Sequence, residues 1–202
     1  MFLKIFNSLL SSTAGNAVSL KATPTPLYVE GVGDEIYIEN ISDPDSGESL
    51  IRYVQRKWLS RIIADNKPFK VECIFGEVKD LSAIKMILDD EQAYSLCSSV
   101  TLIFGDKIWN EERKIELESY LRRYQKFTAF KNSFRPENHG MMISNKIMLE
   151  AKHSLRETYK WVKVVDNASP DAQAKFEREF LTLYNNSIQI TPENISRLEL
   201  YN

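Results

Sequence analysis

The chain has 202 residues, 43% hydrophobic and 27% charged, with 26 Lys/Arg against 28 Asp/Glu for a net charge of -2. That length suits one domain of ordinary size plus an appendage, with a core that needs no covalent staples. The near-zero net charge excludes a global pull toward nucleic acid or anionic membrane. Two cysteines, Cys73 and Cys97, with no CxxC and no histidine beside them, exclude a disulfide framework and a structural zinc site, and fit a reducing, cytoplasmic setting. Neither a metal nor a cofactor is expected. The charge is unevenly placed: residues 1–104 hold 14 acidic and 10 basic side chains, residues 105–165 hold 8 and 13, and residues 166–202 hold 6 and 3.

In chain order, "MFLKIFNSLLSSTAGNAVSL" has the outline of a secretory signal, but Asn7, Ser8, Ser11 and Ser12 interrupt its apolar run. The preferred reading is an amphipathic arm using Phe2, Leu3, Phe6, Leu9 and Leu10. No run approaches the length of a membrane span. "KATPTPLYVEGVGD" follows as a linker, so residues 1–32 are expected to form an arm and linker, 33–187 an α/β domain and 188–202 a polar tail.

Within the domain, "EIYIENI" (35–41) alternates as a strand and "SDPDSGES" supplies a turn and helix cap. "LIRYVQRKWLSRIIADN" is amphipathic, with Trp58, Leu59 and Ile62 inward and a basic stripe of Arg52, Arg56, Lys57 and Arg61 outward. "FKVECIFGEV" (69–78) is a strand, "DLSAIKMILDDEQAYSLCSS" a helix whose polar end contains Asp89 and Asp90, and "VTLIF" (100–104) a buried strand. A helix after Gly105 is expected to bury Ile115, Leu117 and Leu121, before a strand at "KFTAFKNSF" (126–134). A hairpin turning at "SNK" joins strands at 140–143 and 147–150, and "TYKWVKVVDN" (158–167) is a further strand. Ser169 and Pro170 then open the amphipathic helix "DAQAKFEREFLTLYNN". Strands alternating with helices predict an α/β fold: a mixed, largely parallel sheet with helices on both faces, plus the hairpin.

The signatures of nucleotide-binding loops, zincins and hydrolase elbows are missing. Chemistry concentrates instead in "RPENHGMMISNKIMLEAKH" (135–153), which holds both histidines. The element order, ending in a His-led hairpin and then "AKFEREFLTLY", resembles one half of the phospholipase D-like superfamily over about residues 33–187. That resemblance implies a hairpin motif H-x-K-x4-D, in which the His is a phosphorus-attacking nucleophile, the Lys stabilises phosphate charge and the Asp supports the site. It also implies a homodimer, since two motifs meet at one site. Here "HGMMISNK" places His139 at the nucleophile position, Met141 at the Lys position and Lys146 at the Asp position; a shortened hairpin would put Ser144 there instead. Phosphoryl transfer needs cations or donors aimed at developing charge, which methionine does not provide.

Three functions follow from these residues. The first is a non-catalytic interaction module on a degenerate scaffold, with Met141, Met142, Ile147 and Leu149 packing the hairpin and its lysines solvated; it would bind a protein partner or a phosphate-bearing ligand. The second is a dimeric phosphodiesterase or nuclease using His139, with Lys146, Lys152 and His153 on phosphate and Asn138 and Glu150 orienting an imidazole. The third is a single-stranded nucleic-acid binder using Arg122, Arg123, Lys126, Lys131 and Arg135 among the aromatics of 119–135. Against it, Arg122, Arg123 and Lys126 suit a helix C-terminus.

Overall fold

The computed structural model describes residues 31–32, 35–39, 50–78, 80–105, 107–134, 136, 139–151 and 161–200. The expected arm (1–30) and the turn and cap at 42–49 lie outside them.

The elements run β1 (Gly31–Val32), β2 (Glu35–Glu39), α1 (Leu50–Asp65), β3 (Phe69–Phe75), α2 (Ser82–Leu88), α3 (Glu91–Leu96), β4 (Cys97–Phe104), β5 (Lys107–Ile108), α4 (Glu111–Arg123) and β6 (Phe127–Asn132). They continue with β7 (His139–Ile143), β8 (Lys146–Ala151), β9 (Trp161–Val165), α5 (Pro170–Asn185), β10 (Ser187–Ile190), a 3-10 turn (Ile195–Arg197) and β11 (Glu199–Leu200). Among the described residues nine strands form one open sheet in the order β1-β2-β9-β8-β7-β3-β4-β6-β10, and β11 pairs with β5 beside it.

The sheet is mixed, as expected, but its parallel share is smaller than expected. Only β3–β4 and β4–β6 pair in parallel within it, and every other neighbour is antiparallel. Parallel pairing needs a helical crossover, which α2–α3 and α4 provide. Beyond them, tight connections such as the two-residue loop Ser144–Asn145 make an antiparallel meander. Ser144 takes a left-handed φ of 56° at the first loop position, the backbone state that turns such a hairpin.

Helices cover both faces. On one, α1 to α4 close a core containing Val71, Cys73, Val100, Leu102, Phe104, Ala129, Met141 and Ile143. On the other, Phe176 and Phe180 of α5 cover Ile74, Ile103, Phe130, Met142 and Ile147. The alternation of Val71/Cys73 against Ile74, and of Met141 against Met142, is the period-two pattern that sends neighbouring side chains to opposite faces. Helix α5 starts as the sequence predicts: the Ser169 hydroxyl accepts from Ala172 N and Pro170 stands at the first turn.

Four local expectations change. The helix expected within 80–99 is two helices, because Asp90 leaves helical geometry and its carboxylate accepts from Ala93 N at 2.8 Å, capping α3. Cys97, expected near a helix end, opens β4. Ile115 is 61% exposed, whereas Leu117 is buried as expected, Leu121 packs partly buried against the core and Tyr120 joins them. Residues 187–190, expected in a free tail, pair antiparallel with 129–132, and Glu199–Leu200 pair with Lys107–Ile108.

Candidate functional site

The hairpin that carries His139 lies in the middle of the sheet, with β7 antiparallel to β3 and to β8. His139 opens β7 and therefore stands at the carboxyl end of β3, where open α/β sheets bind ligands. The backbone N–H of Gly76, one residue past β3, donates to Nε2 of His139 at 3.1 Å. In a neutral imidazole that makes Nε2 the acceptor and Nδ1 the protonated nitrogen. The Nε2 lone pair is thus turned toward the backbone.

Met141 stands two residues on, on the same face, where the motif would require a lysine. It is buried, directly opposite Cys73 and Met148. The Gln55 side-chain amide of α1 reaches both sulfurs, 3.6 Å from Met148 Sδ and 4.0 Å from Met141 Sδ. Gln55 is itself buried, and its Oε1 and the indole N–H of Trp58, one turn on, make no hydrogen bond. Among the described residues, the groups facing Met141 are thus a thiol, a thioether and an amide.

Lys146, the residue at the Asp position, is not the solvated hairpin lysine expected. It is buried, and its Nζ donates to the Asp166 carboxylate at 2.8 Å and to the Asp166 carbonyl at 3.0 Å. Arg61 of α1 donates to the other carboxylate oxygen at 3.0 Å, and the ammonium lies 6.0 Å from the Trp58 ring. Ala168 N donates to the Asn145 carbonyl at 2.8 Å. The hairpin tip is therefore clamped to α1 and to the approach to α5. Lys146 pairs in register with Ile143, four residues along β7 from His139, a separation of about 13 Å at 3.3 Å per residue. The structure does not bring Lys146 and His139 together. Met142 and Ile147 are buried on the opposite face and Leu149 packs with them, so the expected packing of the hairpin holds.

Lys152, His153, Asn138 and Arg135 lie outside the described residues. Glu150 is paired in register with His139.

The basic residues proposed for nucleic acid are largely engaged within the fold. Arg122 donates to Glu118 one turn back at 2.7 and 3.0 Å. Arg123 lies 4.9 Å over the Tyr124 ring. Lys126 donates to the Tyr94 and Ser95 carbonyls at 2.7 and 3.2 Å, satisfying orphan acceptors at the end of α3. Lys131, at the end of β6, is half-buried. On α1, Arg52 pairs with Asp80, so the basic stripe also has internal partners at both ends.

Asp166, Arg61, Gln55 and Gly76 carry most of this geometry, and of these the sequence marks only Arg61, as part of an outward basic stripe. The signal that could have found Asp166 is its place, closing an alternating strand next to a helix cap. Among the described residues no group of His, Cys, Asp and Glu is arranged to hold a metal. No described helix is long and apolar enough to cross a membrane.

No protein-family model matches the chain, and no curated protein matches it. Solved structures do. Nuc from Salmonella typhimurium, a phospholipase D family member, matches 78% of this chain and 99% of its own length at 11% identity, with a TM-score of 0.51. The phosphatidylserine synthase of Haemophilus influenzae matches 82% of this chain and 42% of its own at 11% identity and TM-score 0.49. TrmBL2, an archaeal chromatin protein, matches 94% and 62% at 9% identity and TM-score 0.46. At such identity the likeness to Nuc is one of fold alone: an open mixed sheet covered by helices on both faces.

Proposed function

We propose that this chain is a non-catalytic interaction module on a phospholipase D-like scaffold, binding a protein partner, with self-association as part of that role. The observation that carries the reading is the pairing of His139 Nε2 with the Gly76 N–H in a hairpin whose next same-face residue is a buried methionine. A phosphodiesterase would need that nitrogen free to attack phosphorus and a cation beside it. Met141 offers none, and Lys146 neutralises Asp166 at the far end of the hairpin. A nucleic-acid binder would need cations presented to phosphate, whereas Arg122 and Lys126 donate to the protein itself.

The test is a paired experiment on the purified chain. Affinity capture from native extract should recover a protein partner in stoichiometric amount, and incubation with a generic phosphodiester should give neither hydrolysis nor a phosphohistidine adduct. Turnover that disappears in His139→Ala would replace this reading with the phosphodiesterase.

A further inference from the structure

The bond between Gly76 and His139 has a donor that cannot change its role. A backbone N–H only donates, so Nε2 of His139 can accept it only while that nitrogen carries a lone pair. Protonation of Nε2 would set two N–H groups against each other across 3.1 Å. Gly76 is buried, so its N–H cannot turn to solvent unless the chain around it moves. Protonation of this imidazole is therefore tied to a displacement of the main chain.

The segment that would move is defined by its other bonds. Gly105 N donates to the Phe75 carbonyl at 3.2 Å and Trp109 N to the Val78 carbonyl at 3.1 Å, on either side of Gly76. Val78 also bridges to Ile108 of β5, and β5 pairs with β11. His139 is thus the point at which β7 ties into the loop Gly76–Val78 and, through it, into the segments that carry β5 and β11. The ionisable residues of these segments are Glu150, opposite His139 in the β7–β8 register, Glu77, next to Gly76 in the chain, and Lys107, beside the Ile108 that bridges Val78. On β7 itself Gly140 and Met141 add no charge. Acids favour the imidazolium, whereas the lysine and the Gly76 bond favour the neutral ring. These influences oppose one another, and histidine's ordinary range, about pH 5 to 8, is where such a balance is read.

We propose that His139 is an acid-sensitive latch: neutral, it holds the Gly76–Val78 loop on β7, and protonated at Nε2 it lets that loop go. The closed arrangement belongs to the pH side above the imidazole's titration and the released one to the side below it. This goes beyond the non-catalytic reading, which holds whether or not the latch titrates.

NMR on the full chain between pH 8 and pH 5 tests it, following the His139 imidazole and the exchange protection of the Gly76 amide, corrected for the intrinsic pH dependence of exchange. Protection of Gly76 is expected to fall about tenfold or more, the worth of one lost hydrogen bond, with the midpoint at which His139 titrates. In His139→Gln, whose side chain does not titrate, Gly76 protection should be independent of pH. His153→Gln should leave the response intact. An imidazole that stays neutral down to pH 5, protection that is flat through its titration, or the same loss in His139→Gln would overturn the latch. None of these results bears on the hydrolysis assay, which judges the non-catalytic reading separately.

Discussion

Nε2 of His139 accepts the backbone N–H of Gly76 at 3.1 Å, and this one bond braces β7 against the end of β3. His139→Ala should therefore act on stability. Removing the acceptor takes this partner from the N–H of Gly76, a buried residue, at a cost of about 1–3 kcal/mol. The variant should show a lower urea midpoint and no change in any phosphodiester assay.

Restoring the motif's missing cation should fail. Met141 is buried against Cys73, Met148 and Gln55, so Met141→Lys places an ammonium among thiol, thioether and amide groups. A loss of several kcal/mol in denaturant unfolding is expected, without gain of hydrolysis.

The clamp at the hairpin tip predicts an asymmetry between its partners. Asp166→Ala strips the carboxylate from both Lys146 and Arg61, leaving a buried ammonium, and should cost about 3 kcal/mol or more. Lys146→Met should cost distinctly less, since Arg61 still neutralises Asp166. Equal losses in the two variants, measured by urea unfolding, would contradict the clamp.

Gly140 is held by space. A Cβ there would collide with the Leu149 side chain and lie 3.1 Å from the Met148 carbonyl and 3.2 Å from Phe176 of α5. Gly140→Ala should destabilise by about 1–3 kcal/mol through overpacking between hairpin and helix, read as a lower melting temperature.

Both thiols are buried, and burial pushes Cys73 far up and Cys97 to about 11. A folded value above the ordinary thiol's stabilises the protein below that ordinary value, about 8.5, and the stabilisation is lost as pH rises from there through the folded value. The native chain should resist a thiol reagent at pH 8 and react at two sites once unfolded. Its melting temperature should fall as pH climbs from about 8.5 toward 11.

Local patterns carried most of the fold. The period-two strands, the hairpin about Ser144 and the Ser169–Pro170 start of α5 were legible because each rests on residues within one turn of one another. What escaped depends on partners distant in sequence. Lys146 looked solvated because its burial is decided by Asp166, 20 residues on, and by Arg61 and Trp58 of α1. Strand β10 was hidden in a polar tail, although Ile188 and Ile190 alternate about Gln189, and only its neighbour β6 makes it a strand. Position gave His139 its candidacy, but only the fold reveals that Gly76 faces its Nε2.

The most direct test of the central claim is hydrolysis of a chromogenic phosphodiester by the purified chain at micromolar concentration, side by side with His139→Ala. Identical background rates, with no phosphohistidine detected, are the expected result. A rate above background in the native chain that vanishes in the variant would contradict it.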